Sequence, residues 1–154
     1  MVKTTRISFG GTAGIVTSMA LLVGLDAAHA GKASVIGALL IIAVADNLTD
    51  SLSVQMYQES ERRDKREAFL STLSNFAARF LVCLTFVVII ALFWTYAVVA
   101  GVAWGMALLS AMSYLIARAR KASAISEIMK HVGVAVLVIM ISEEIGRWLT
   151  AYVA

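Results

Sequence analysis

The sequence predicts an all-α, polytopic integral membrane protein with five transmembrane helices, and three observations carry that expectation. The chain of 154 residues is 60% hydrophobic and only 15% charged, has no proline, and has a mean hydropathy of +0.86. Soluble globular domains are far more polar. Its apolar residues gather into runs long enough to cross a bilayer, which takes roughly 20 residues each. Its basic residues fall almost entirely on one side of a five-crossing path. Five crossings use nearly the whole chain, so residues 1–154 read as a single membrane domain.

The first crossing is expected over about 9–28, where Gly10 to Leu25 carries no charge. The second covers about 35–57: Val35 to Val44 is uncharged, and polar residues at helical spacing carry it on to Tyr57. From Phe80 to Ala117 no residue is charged, a stretch of 38 positions that is too long for one helix and fits two. These are expected at about 73–94 and 97–117, turning near Trp94–Tyr96, whose aromatic rings suit a membrane interface. The fifth covers about 132–152, with Trp148 and Tyr152 as interfacial anchors. The chain shows no internal repeat and no low-complexity tract. A competing reading exists for the start. Lys3 and Arg6, the run Ile15–Leu25 and then Ala28-His29-Ala30 also fit a secretory signal, although Asp26 is ill placed beside the cut. Cleavage would leave four helices in the same orientation.

The basic residues set a direction. Lys3, Arg6, Arg62, Arg63, Lys65, Arg66, Arg118, Arg120, Lys121 and Lys130 fall on one side, and Lys32 alone on the other. That asymmetry predicts an inner or plasma membrane protein with a cytoplasmic N-terminus and an external C-terminus. In a membrane protein such loops are orientation signals and contacts for anionic lipid, not a nucleic-acid surface. The segment "ESERRDKRE", Glu59–Glu67, sets four acids against four bases and reads as a solvated, self-paired helix continuation. The one cysteine, Cys83, lies in an apolar run and reads as a small buried hydrophobe.

The informative residues are charges inside the apolar segments. Asp46, Asp50, Ser53 and Tyr57 step by four, three and four and share one helix face, flanked by Asn47 and Thr49. An ionised aspartate facing lipid would cost roughly 3 kcal/mol, so the stripe must face protein or water. At ~1.5 Å per residue Asp46 lies about 16 Å from its helix end, near mid-bilayer, with Asp50 about 6 Å further along. Arg79 reaches a similar level and is the expected partner of Asp50, which would then be mainly structural. In "ISEEIGRWL" Glu143 is also near mid-bilayer; Glu144 and Arg147 accompany it, and an intrahelical Glu143–Arg147 pair is the simplest arrangement. Asp26 and His29, three apart, form either an exit ligand pair or a solvated helix end. His131 is expected at the interface. Gly10, Gly14 and Ser18, and separately Gly101 and Gly105, have the small-residue spacing that lets membrane helices approach closely, and either is a candidate dimer seam.

Three segments carry a family resemblance. "GGTAGIVTSMALLVGL" (Gly10–Leu25), "ADNLTDSLSVQMYQESE" (Ala45–Glu61) and "HVGVAVLVIMISEEIGRWL" (His131–Leu149) resemble the first, second and last helices of the vacuolar iron transporter family. The resemblance implies a homodimer that moves Fe²⁺ or Mn²⁺ out of the cytosol in exchange for protons, by a path near helices one and two. It places Ala13 where the family has an aspartate and Asp50 where it has a methionine, and the family's cytoplasmic metal-binding helices are missing. A carboxylate in place of a thioether favours harder ions such as Mn²⁺ or Mg²⁺. Two carboxylates converging in a poorly hydrated site cannot both ionise cheaply, which suits exchange of a proton for a cation.

Two functions follow. One is a proton-coupled divalent-cation carrier in which Asp46, Asp50 and Glu143 meet the ion and Arg79, Glu144, Arg147, Asp26 and His29 are proton or ion-pair groups. The other is a non-transporting scaffold or partner subunit whose charges are structural pairs. No nucleophile–base arrangement, phosphate loop or Cys/His metal spacing is present, so the chain does not read as an enzyme, and no cofactor is expected beyond the transported ion.

Overall fold

A computed structural model describes the backbone of residues 2–60 and 65–153, with side chains throughout these segments except at 2–10, 59, 65 and 67. The described chain is all helix and turn. α1 runs Val2–Ala27, and α2 (Lys32–Ile41), a π-helical turn (Ile42–Asp46) and α3 (Asn47–Ser60) follow as one rod. α4 runs Lys65–Leu92, a 3₁₀ turn spans Trp94–Tyr96, and α5 (Ala97–Arg120) and α6 (Ala124–Tyr152) complete the bundle. Among the described residues four rods are long and apolar enough to cross a membrane: Lys32–Gln58, Ala68–Leu92, Trp94–Arg120 and Ala124–Tyr152. Within the described side chains of α1, the residues Gly11–Ala27 form a further apolar stretch.

The turn expected at Trp94–Tyr96 is present, and α4 and α6 begin about eight residues before the expected 73 and 132. Neither Lys65–Thr72 nor Ala124–His131 contains glycine or proline, so nothing breaks the helix where the apolar run gives out. The four-acid, four-base segment Glu59–Glu67 lies largely outside the described residues. At the opposite end, Lys32 Nζ donates to the Ala91 carbonyl (2.7 Å) and places its charge on the C-terminus of α4.

α1 is the axis. It packs on α4, α5 and α6, while the α2–α3 rod lies against α4. Ile15, Met19 and Leu22 of α1 meet Phe86 and Ile90 of α4, Leu109 of α5 and Leu39 of α2 in one buried cluster. The close fit depends on two absent side chains: a Cβ on Gly105 would overlap Met19, and one on Gly101 would overlap Leu22. Ser18 is buried against Cys83, and Gly14 lies over the backbone of Arg79. Of the small-residue seams that were candidates for a dimer contact, Gly14, Ser18, Gly101 and Gly105 are packed within the protomer, and the surroundings of Gly10 lie outside the described residues. Without a hydrophobic driving force between helices in lipid, this close van der Waals fit is what holds them together.

Candidate functional site

The π turn organises the site. At its end the Asn47 backbone N–H is shared between the Ile42 and Val44 carbonyls and leaves the Ala43 carbonyl between them without it. The Asn47 side-chain amide fills that vacancy, donating to Ala43 O at 2.9 Å. Its other atoms face α4: Nδ2 also approaches Cys83 Sγ (3.8 Å), and Oδ1 accepts from Arg79 Nε (2.7 Å). Such π turns recur at functional positions in helices.

Arg79 is almost wholly buried, with 5% of its side chain exposed, and each face of its guanidinium fork is used. Nη1 donates to Asp50 Oδ2 at 2.5 Å and Nη2 to Asp46 Oδ2 at 3.0 Å. Asn75 adds a donor, 3.3 Å from Asp50 Oδ2 and 3.2 Å from Ser51 Oγ. The expected Asp50–Arg79 pair is thus present, and Arg79 holds Asp46 as well. One guanidinium against two carboxylates leaves a formal charge of −1. The two carboxylates remain 51% and 43% exposed on the outside of the protomer, with Asp46 the more open and the more distantly bound.

Around this cluster runs a polar seam that the sequence reading did not assemble. Of the buried polar side chains, Ser18, Asn47, Ser51, Gln58, Ser71, Thr72, Asn75 and Arg79 lie along the α3–α4 contact or directly behind it, and only Ser113 lies elsewhere among the described residues. Gln58 Nε2 donates to Ser71 Oγ (2.9 Å), while its buried Oε1 has no partner. On α4 the residues Thr72, Asn75, Arg79 and Cys83 step by three, four and four, a helical period of polar groups in an apolar segment that was available as a signal. Along the stripe read from the sequence, Asp46, Ser53 and Tyr57 are exposed on the protomer and Asp50 is half-buried.

The second group of candidates is on α6. Arg147 Nη2 meets Glu143 Oε1 at 2.5 Å and Nη1 meets Glu144 Oε1 at 3.5 Å, so the expected intrahelical pair is present. Glu143 and Arg147 share a cleft with Asp26 and His29 at the end of the bundle where α1 terminates. Asp46 and Glu143 are not brought together: α6 packs on α1 and α5, and the central apolar cluster separates it from the α3–α4 contact. Among the described residues no three His, Cys, Asp or Glu side chains converge as a metal site. Ala13, where the family resemblance implies an aspartate, is exposed on α1. His131 is partly buried, its Nδ1 2.9 Å from Ser113 Oγ.

Comparison with known proteins finds no matching family model, no matching curated protein and no matching solved structure.

Proposed function

We propose that the chain is a proton-coupled carrier of a divalent cation, Fe²⁺ or Mn²⁺, exporting it from the cytosol, and a short relative of the vacuolar iron transporters. The observation that carries this reading is the charge imbalance at Arg79. Two carboxylates near mid-bilayer share one buried guanidinium and turn their exposed sides away from the protomer. A residual negative charge in that position is costly against lipid, and a cation or a proton removes the cost. Asp46, being more open than Asp50, is the carboxylate offered to the ion, and Asp50 with Asn47 and Asn75 holds Arg79 in place. In this reading the protein is a homodimer with five crossings, a cytoplasmic N-terminus and an external C-terminus. The polar face of α3 is turned from lipid toward the partner subunit or water.

A second reading is a scaffold or partner subunit. It is favoured by the pairing itself, since Asp46, Asp50, Glu143 and Glu144 each have an arginine within 3.5 Å. Flux in proteoliposomes separates the two. The carrier takes up Mn²⁺ or Fe²⁺ in response to a pH gradient, and Asp46→Asn, which keeps the shape and removes the charge, abolishes that flux while the protein still inserts. Absence of metal flux in the unmodified protein supports the scaffold. Equal flux in both forms moves the ion away from Asp46.

A further inference from the structure

The cleft at the end of α1 lies apart from Arg79 and its carboxylates, and its chemistry points to a different ligand. It is an open cleft of about 1100 Å³ between the last turn of α1, the first turns of α5 and the last turns of α6. The α5 wall is wholly apolar, built from Val98, Val99, Val102 and Ala103. The facing side is charged, with Glu143 and Arg147 on α6 and Asp26 and His29 on α1.

The register of α1 on α6 orders these groups by depth. A Cβ on Gly146 would overlap the Gly24 carbonyl and press on Ala27, so these helices touch backbone to backbone and Asp26 comes level with Arg147. Thr150 Oγ1 donates to the Ala27 carbonyl (3.2 Å) and ties the two ends together. Glu143 lies one turn below Arg147 and Ile139 one turn below that, so the mouth is charged and the floor, about 12 Å deeper than Arg147, is apolar. His29 ends α1 in the left-handed conformation (φ 58°), with its N–H returned to the Asp26 carbonyl (2.9 Å).

A charged mouth over an apolar floor suits an amphiphile. A purely polar solute finds no partner on the α5 wall, and a bare cation must compete with Arg147 for Glu143. The signs at the mouth are mixed. Arg147 is 62% exposed and spends one nitrogen on each of two glutamates, leaving N–H donors for an anionic group. Asp26 is exposed at the same level and accepts from a cationic one. An anionic head group alone would be repelled by Asp26 and Glu143.

We propose that this cleft binds a zwitterionic phospholipid with a primary ammonium, of the phosphatidylethanolamine type. Its phosphate lies against Arg147, its ammonium against Asp26, and one acyl chain runs down the α5 wall. A primary ammonium donates charge-assisted hydrogen bonds to a carboxylate, and the trimethylammonium of a choline lipid has no N–H to donate.

The test uses the full chain in nanodiscs of phosphatidylethanolamine, phosphatidylcholine or phosphatidylglycerol with matched acyl chains. The ethanolamine lipid is expected to raise the unfolding midpoint by about 3 °C over the choline lipid. From mixed lipid, mass spectrometry after detergent extraction is expected to find it retained with roughly tenfold preference. Asp26→Asn removes the preference, and Val102→Trp, which fills the groove, removes the retention. Equal retention of the ethanolamine and choline lipids, a preference that survives Asp26→Asn, or selection of phosphatidylglycerol each overturns the proposal. None of these readouts depends on metal flux, so the lipid site stands or falls separately from the carrier reading.

Discussion

Arg79 and Arg147 present the same stoichiometry, one guanidinium to two carboxylates, in opposite surroundings. Arg79 is 5% exposed and its partners are 29 and 33 residues away on another rod. Arg147 is 62% exposed and its partners are three and four residues away on its own helix. The first cluster has a supporting set: Asn47 holds Nε, Asn75 steadies Asp50, and Gly14 closes over the backbone. The ion pairs of the second cluster are made entirely within its own helix. The difference shows how a membrane helix accommodates charge. A pair made within one helix needs nothing but spacing, whereas a buried arginine requires several elements to converge and becomes part of what holds them together.

The sharpest way to break the comparison is to remove each arginine. Arg79→Met leaves two carboxylates unpaired at bilayer depth and is expected to destabilise the fold by roughly 3–5 kcal/mol. Arg147→Met, at an exposed site, is expected to cost less than about 1 kcal/mol. Reversible unfolding in mixed micelles measures both, and similar losses would show that burial does not distinguish the clusters. Next in size is Asn47→Leu. It strips Arg79 Nε and the Ala43 carbonyl of their partner together, for about 1–3 kcal/mol. A neutral result in the same assay would mean that the π turn does not depend on Asn47. The smallest effect is the coupling on α6: a double-mutant cycle of Glu143→Gln with Arg147→Met is expected to give about 0.3–0.5 kcal/mol. A value as large as that of an Asp50–Arg79 cycle would place the α6 cluster in a drier setting than its exposure indicates.

The two clusters also differ in how far they were legible. Glu143 and Arg147 could be paired from their spacing because an α-helix puts positions four apart on one face. Depth along the bilayer was enough to match Arg79 with Asp50, since both helices run roughly along the same axis. It did not reveal that Asp46 joins the same guanidinium: Asp46 and Asp50 lie one turn apart on one face, but depth alone does not show that a single fork spans both. Asn47 looked like a flanking residue and is a bridging one. The small-residue steps at Gly14 and Gly105 announced close packing correctly but not the partner, which is a helix of the same protomer.

The amino-acid sequence by itself determined that this chain is helical, that most of its helices are long and apolar enough for a membrane, and that one turn falls at Trp94–Tyr96. Those properties depend on composition and on periods of a few residues, which are local. Only the tertiary structure decided that α1 is the axis of the bundle, that the buried polar groups line one seam behind Arg79, and that Asp46 and Glu143 stand on separate sides of an apolar core. It also decided that Asp26 and Arg147 line the same cleft, opposite an apolar wall. Each of these is a distance between residues far apart in the chain, set by which helix faces fit most closely, and helix spacing carries no record of the facing partner.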